Sequence, residues 1–462
     1  MSKINLLRLE FENILSFKDA QEVLFTAETK YNGSPNNYIK REKAIGENLI
    51  TPTTAIYGAN ASGKSNFIEI FNIIGSFLGN TYSKYYMGHY NPFLLANETE
   101  NAPSKVSIDF CIDDFRYVLD FSFNREGIIA EELTEYQSED KKNIYTRKNE
   151  NITKIDKTLV SKFDIAYVKD TISKRNDLLV LDILDTRGVE YFHNIFRGLK
   201  TLTAHHSKEN EKNEFFTTFA KQLYENAELK KKFVEFIKYA DLGIIDVDVK
   251  PQYNMMPYVN ERPSMFIGTD SPQNNSNGYE QFTTPYRPIE KEIIKDENGN
   301  EKYYVDFIHK GVNGKQELLL IERESLGTVQ FARLLMKFIP ALLNGGVFII
   351  DEIENNLHPM VLAKIIEMFN TPEINIGGAQ LIFSTHNTSI LKNDVLQRDE
   401  IWFVEKNEEG CSEIYPLTDF NAIRKGFNYE KGYWEGRFGA IPYLDDIAEL
   451  VKALSDKDEK ND

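Results

Sequence analysis

Residues 58–65, Gly58-Ala59-Asn60-Ala61-Ser62-Gly63-Lys64-Ser65, follow the pattern G-x-x-x-x-G-K-S, whose fixed positions suit a bound phosphate chain. The glycines let backbone N–H groups curl around phosphate oxygens. Lys64 brings a point charge to the β- and γ-phosphates, and Ser65 brings a hydroxyl to Mg²⁺. A helix opening at Lys64 adds the partial positive charge of its N-terminus, with Asn66 in its first turn as a further nucleotide contact. A short β-prone stretch, 53–57, runs into the loop, and a helix is predicted over 64–78. This is the strand–loop–helix context that the motif requires.

Val347-Phe348-Ile349-Ile350 reads as a fully buried strand, and Asp351 and Glu352 follow at its C-terminal end. Ligands gather at that end of a parallel sheet. Asp351 can hold Mg²⁺, and Glu352 can polarise an attacking water as general base. A third strand, 381–383, ends in Ser384-Thr385-His386, and a histidine there can report the γ-phosphate through a hydrogen bond. Glu324-Ser325-Leu326-Gly327-Thr328 precedes an amphipathic helix that carries Phe331, Leu334, Leu335, Phe338 and Leu342 on one face and stops at Asn344-Gly345-Gly346. Small residues at that N-terminus form a second anion site. One nucleotide needs one cradle, so Ser325 and Gly327 are expected to cap the phosphate held by another copy of the chain.

Several elements must position these groups. Residues 4–11 alternate, with Leu7, Leu9 and Phe11 on one side and Arg8 and Glu10 on the other, as a half-buried strand does. A loop is predicted at 31–37, and antiparallel strands over 106–123 turning at Asp113 and Asp114. Strands return at 303–309, 317–321, 347–350, 381–383 and 401–404, the later ones alternating with helical segments as in a parallel sheet with crossovers. Between them lie charged helical segments (209–240) and a Pro-, Asn-, Gly- and Ser-rich loop (251–288), without heptads or internal repeats. The predicted division is 1–135 and 301–446 as two halves of one core, 136–300 as an inserted, mostly helical region, and 447–462 as a charged tail.

Composition narrows the function. Hydrophobic residues at 41% and charged residues at 27% suit a soluble globular chain. No transmembrane run or signal peptide is predicted, and Cys111 and Cys411 lack the spacing of a zinc site or a disulfide framework. A cytoplasmic protein without membrane contact is expected. A net charge of −17 disfavours an extended nucleic-acid surface. Local basic stretches such as Lys141, Lys142, Arg147 and Lys148, or Lys230 to Lys232, read as solvated faces, with room left for a small footprint.

The order of P-loop (58–65), ESLGT (324–328), FIIDE (348–352), NNLHP (355–359) and STH (384–386) resembles the ABC-type ATPase heads of SMC, RecF-like and OLD-type proteins. LRLEFENILSFKD (7–19), IWFVEKN (401–407) and YWEGRFGAIPYLDD (433–446) are similar to the phage-exclusion ATP-binding proteins of the RloA and AbiL kind. The resemblance covers roughly 1–135 and 300–446. It implies an α/β ABC-type head, a homodimer sandwiching ATP and Mg²⁺, Ser325 and Gly327 on the partner's γ-phosphate, and Asn355 to His358 as a D-loop at the interface. It further implies a role in anti-phage defence, with a phage-derived trigger and a separately encoded effector, nuclease or RloB-like. One departure concerns the Q-loop. The first glutamine after the P-loop is Gln137, in a charge-rich stretch, and Asn91-Pro92-Phe93 is the alternative occupant of that region.

Rival readings divide on further features. A DNA-end-binding ATPase of the RecF or SMC kind is the alternative, and the acidic balance weighs against it. A transporter subunit fits poorly with a signature so far from the P-loop, and nothing specifies a guanine base or a kinase. The stretch after His386 is too short for the Toprim nuclease domain of OLD-type proteins. Asp445 and Asp446 suit a helix start better than a two-metal site. His205 and His206, read as neighbours on a helix, would face apart and share no metal.

Overall fold

The computed structural model describes residues 3–27, 37–78, 90–137, 140–202, 204–206, 214–239, 243–253, 293–295, 299, 301–392, 394–420 and 426–442. It divides into two compact units, Met1–Glu209 with Leu326–Asp462, and Asn210–Ser325.

The first unit holds two sheets. Alternation at the N-terminus yields the strand Ile4–Glu12, but its face differs from the expected one. The register against the strand Ser104–Ile112 slips between Leu6 and Arg8, and such an irregularity changes the phase of the pleat. Ile4, Leu6, Leu9 and Phe11 therefore enter the main core, while Leu7 joins a separate cluster with Ile39, Ala44, Ile50 and Cys111. This strand belongs to a seven-stranded antiparallel sheet in the order 151–155, 140–148, 127–137, 115–124, 104–112, 4–12, 21–24. Residues 136–155, placed in the insertion by sequence, thus continue this sheet, and the helices Lys162–Lys174, Val180–Thr186 and Glu190–Lys200 belong to the same unit.

The second sheet of this unit has the order 204–206, 347–351, 380–384, 53–57, 401–406, 412–416, and only the last pairing is antiparallel. The P-loop strand, Thr53–Tyr57, lies inside it and is buried at every position. His205 and His206 lie on the edge strand Ala204–His206, in register with Ile350 and Asp351, and not on a helix.

Both sheets share one core with the helix Lys64–Ser76. Its Phe67, Ile70, Phe71 and Ile74 meet Leu6, Leu9 and Phe11 from one sheet and Ile56, Ile349 and Ile382 from the other. Phe67 contacts Phe11 and Phe71 with ring centroids 6.0 and 5.6 Å apart. The helix has no side-chain N-cap. A cap contributes about 1 kcal/mol, whereas truncating a buried phenylalanine costs about 3–5 kcal/mol. Packing therefore holds the helix that carries Lys64. Gln380 fastens the sheets together at its own end: its Oε1 accepts from Leu6 N (2.7 Å), and its Nε2 donates to Leu6 O (3.1 Å) and Thr51 O (3.2 Å).

The helix Leu326–Asn344 is long and apolar enough to cross a membrane by length and composition, yet 61% of its most apolar window is buried within the protein. Phe338 meets Phe348 and Phe369 edge-on at 5.2 and 5.1 Å, which makes this a core helix against the strand Val347–Asp351.

At the opposite end of the P-loop strand, Thr53 Oγ1 donates to Glu400 Oε1 (2.6 Å), and Gln397 N donates to Oε2 (2.7 Å). Burial pushes the Glu400 carboxyl up to about 8, against the pull of the Thr53 hydroxyl. The folded chain therefore holds a proton that an unfolded glutamate releases near 4.5. Glu400's contribution is fully present below pH 4.5 and declines as pH rises towards 8. Glu400→Gln removes this dependence, so the melting temperature of the variant should gain on wild type steadily from pH 5 to 8. Parallel melting curves across that range would show that Glu400 ionises normally.

The second unit contains the helices Glu214–Glu225 and Ala227–Tyr239 and an antiparallel sheet in the order Ile244–Pro251, Tyr303–Lys310, Gln316–Leu319. Phe233, Ile237, Val247 and Phe307 are buried in it. This unit therefore combines helices with a sheet. The predicted loops at 31–37 and 251–288, the tail 447–462, and Asp445 and Asp446 lie wholly or largely outside the described residues.

Candidate functional site

The predicted chemistry gathers where three neighbouring parallel strands end. Gly58 follows Tyr57, Glu352 follows Asp351, and Thr385 and His386 follow Ser384. The loop needs its glycines for space and conformation. A Cβ on Gly58 would stand 2.4 Å from Val404 O, and one on Gly63, at φ +120°, 2.5 Å from Ser412 Oγ. Ala61 adopts φ +61°, a conformation that costs a non-glycine residue of order 1–3 kcal/mol and tends to occur at ligand-binding loops.

Lys64 Nζ donates back to Gly58 O (2.8 Å) and Ala59 O (2.9 Å). Burial lowers its ammonium to about 8, while Asp351, Glu354 and Glu352 draw it upward. Ser62 Oγ is buried without a hydrogen-bond partner among the described residues. Ser65, Asn60 and Ala61 are exposed. A cramped cradle, a desolvated lysine and an unsatisfied hydroxyl suit a phosphate chain, which would supply the missing charge and acceptors.

Behind the loop runs a polar brace that sequence reading did not find. Ser412 Oγ donates to Ser62 O (2.6 Å) and lies 2.8 Å from Ser16 Oγ, to which Asn66 Nδ2 also donates (2.8 Å). The side chain of Asn66, expected on the nucleotide, is thus engaged with the brace. The same turn meets the Asn-Pro-Phe stretch: Leu15 N donates to Asn91 O (2.7 Å), and Phe93 N to Asn13 Oδ1 (3.0 Å). Gln137 ends the strand Gly127–Gln137, opposite Asp140.

The acidic side of the site is wired through Ser384. Its hydroxyl donates to Asp351 Oδ1 and accepts from Glu352 N (2.8 Å). Glu352 sits at φ +50°, and Asn355 Nδ2 donates to its Oε2 (3.2 Å). Glu354, which the sequence reading passed over, accepts from His386 N (2.6 Å), and its second oxygen is buried without a hydrogen-bond partner among the described residues. Thr385 N donates to Ile56 O (3.1 Å), tying this segment to the P-loop strand. Burial chiefly, then the Lys64 charge, lowers the His386 imidazole below its usual range, against the pull of Glu354, Glu352 and Asp351. Lys64, Asp351, Glu352 and His386 therefore share one electrostatic site. No group of three or more metal-ligating side chains occurs among the described residues. Ser65 is exposed in the first turn of the helix Lys64–Ser76, and Asp351 ends the strand Val347–Asp351.

The remaining predicted residues lie elsewhere along the chain. Ser325 closes the second unit, and Gly327 lies in the first turn of the helix Leu326–Asn344 in the first unit. Of Asn355 to His358, Leu357 is buried and Asn356 takes φ +59°. His358 Nδ1 caps the next helix by accepting from Met360 N (3.2 Å), and Met360 is 73% exposed.

A central parallel sheet with a phosphate cradle and paired carboxylates at its strand ends defines a P-loop ATPase fold. The chain belongs to the family described as "AAA domain, putative AbiEii toxin, Type IV TA system", whose profile matches residues 53–392. No curated protein matches it significantly. Among solved structures it is similar to an SMC head bound to the C-winged helix domain of ScpA (14% identity, 89% of this chain and 96% of that one, TM-score 0.40). It is also similar to the SMC head domain from Thermotoga maritima (13% identity, 89% and 98%, TM-score 0.38).

Proposed function

We propose that the chain hydrolyses ATP with Mg²⁺ at a site shared between two copies, and that this ATPase serves as the sensor or scaffold of an anti-phage defence system with a separately encoded effector. The observation that carries the catalytic reading is the convergence of Lys64, Asp351, Glu352 and His386 at the ends of neighbouring strands. Backbone N–H groups of 58–65 and Lys64 hold the phosphates, while Ser65 and Asp351 hold the metal. Mg²⁺ held there would supply positive charge to the phosphate oxygens. Glu352 takes a proton from the attacking water, and the Asn355 amide keeps its carboxylate oriented. His386 reports the terminal phosphate. Ser325 and Gly327 cap the phosphate on the partner copy, and Asn355 to His358 line that interface. The segment 91–93, fastened to the turn that braces the P-loop, takes the place of a Q-loop.

The defence role is supported by the AbiEii toxin in the family's description and by the resemblance of the terminal segments to phage-exclusion proteins. A protection assay tests it. Cells expressing this chain alone should stay healthy and infectable, while co-expression with the product of the adjacent reading frame should restrict phage. Lys64→Ala should abolish that restriction. Restriction by the chain alone would overturn the separate effector, and a lack of restriction by the pair, or restriction indifferent to Lys64→Ala, would overturn the role.

A further inference from the structure

The signature residue Ser325 follows directly on a short strap, the 3₁₀ turn Ile321–Arg323 and Glu324. The backbone of the strap is closed by Arg323 N on Leu320 O (2.8 Å) and Glu324 N on Ile321 O (3.2 Å). One turn of 3₁₀ helix is a weak constraint by itself. The side chain of Glu324 supplies a second: its Oε1 lies 2.6 Å from His309 Nε2. Both side chains are withdrawn from water, 6% exposed for Glu324 and 19% for His309. At that separation the imidazole and the carboxyl group share one hydrogen bond.

His309 is well placed to act as a fixed post. It lies on Tyr303–Lys310, the middle strand of the three-stranded sheet, in register with Ile244 on one side and Glu317 on the other. On its far side the ring fits under the turn at Gly243, which takes φ +72° and whose Cβ position would be 3.7 Å from Nδ1. None of the motifs uses His309, and the hydrolytic chemistry of the first unit does not need it.

We propose that His309 is a positioning residue for the signature loop: by holding Glu324 it fixes the backbone that presents Ser325 to the nucleotide of the partner copy. The inference rests on the shared-site reading above. Its physical basis is preorganisation. A loop held before assembly loses less freedom when it meets a phosphate, and displacement of a contact group by about 1 Å can cost about 10²-fold in rate.

The test uses the full chain with His309→Ala, His309→Phe and His309→Gln. Phenylalanine fills the space without a donor, and glutamine keeps an N–H within reach of Glu324. Alanine and phenylalanine variants should each lose about tenfold in kcat and in ATP-dependent self-association. Binding of a fluorescent ATP analogue to the dilute, unassociated chain should stay within about twofold of wild type, and His309→Gln should recover most of the loss. If His309→Ala loses its secondary structure, the phenylalanine and glutamine pair decides. The proposal is overturned if His309→Phe hydrolyses and assembles like wild type, or if His309→Gln is as impaired as His309→Phe. Ser325→Arg, run alongside, separates the two readings. Wild-type turnover by Ser325→Arg defeats the shared site itself, whereas an inactive Ser325→Arg beside a fully active His309→Phe defeats only the positioning role.

Discussion

Glu352→Gln should bind ATP as tightly as wild type and hydrolyse it about 10²–10⁴-fold more slowly, the usual cost of losing a general base. The amide preserves the size of the side chain, and its oxygen can still accept from Asn355 Nδ2, which now meets Glu352 Oε2 at 3.2 Å. Only the proton acceptor is lost. Lys64→Ala fails earlier, at binding. Its ammonium turns back onto Gly58 O and Ala59 O and is the cation that lies among Asp351, Glu352 and Glu354. Without it, a polyanion would enter a site dominated by carboxylates. Equilibrium binding of a labelled nucleotide, measured beside phosphate release, separates these two defects. Wild-type turnover by purified Glu352→Gln would mean that another group is the base.

Ser325→Arg should abolish turnover while leaving nucleotide binding to the isolated chain intact. Ser325 ends the second unit and stands one residue before the helix Leu326–Asn344, whose first turn contains Gly327. The P-loop lies between Thr53–Tyr57 and Lys64–Ser76, so in the proposed reading one chain carries both a cradle and a second helix N-terminus that would meet an anion. Arginine would put a bulky side chain where the proposed reading needs a small residue against the partner's phosphate. Single-chain binding should change by less than about threefold, against a loss of at least about 10²-fold in turnover, the range seen when one preorganised donor to a reacting group is removed.

The candidate site was legible because its parts are local in sequence. The cradle, the carboxylates after an apolar strand and the polar end of the next strand each occupy a few consecutive residues, and the parallel sheet brings them together. What the sequence hid depends on contacts between distant segments. Ser16 and Ser412 brace the P-loop across hundreds of residues, and Glu354 matters because it holds the backbone of His386. A third carboxylate three residues after Asp351 was the available signal.

The start of the insertion was misread for a different reason. In the strand Asp140–Lys148, Arg147 is fully buried, its guanidinium satisfied by Leu178 O (2.6 Å), Asn176 O (3.0 Å) and Asn149 O (2.6 Å). A register shift in the pairing with Gly127–Gln137 places Ile144 and Tyr145 side by side in the core. A buried cation and a broken alternation make a sheet strand look like a solvated segment. At Leu7 the same kind of slip turns an apolar residue away from the face that alternation assigned to it.

The central claim, an ATPase site completed by a second copy, is tested most directly by mixing two inactive chains. Lys64→Ala lacks a working cradle but keeps Ser325, and Ser325→Arg keeps its cradle but lacks the cap. In a dimer of the two, one interface is assembled from the intact cradle of one chain and the intact signature of the other. Each variant alone should release phosphate at background rates. An equimolar mixture should recover roughly a quarter of wild-type activity, since half of randomly formed dimers are mixed and each has one intact site. A mixture no more active than its components, or full turnover by Ser325→Arg alone, would contradict the shared site.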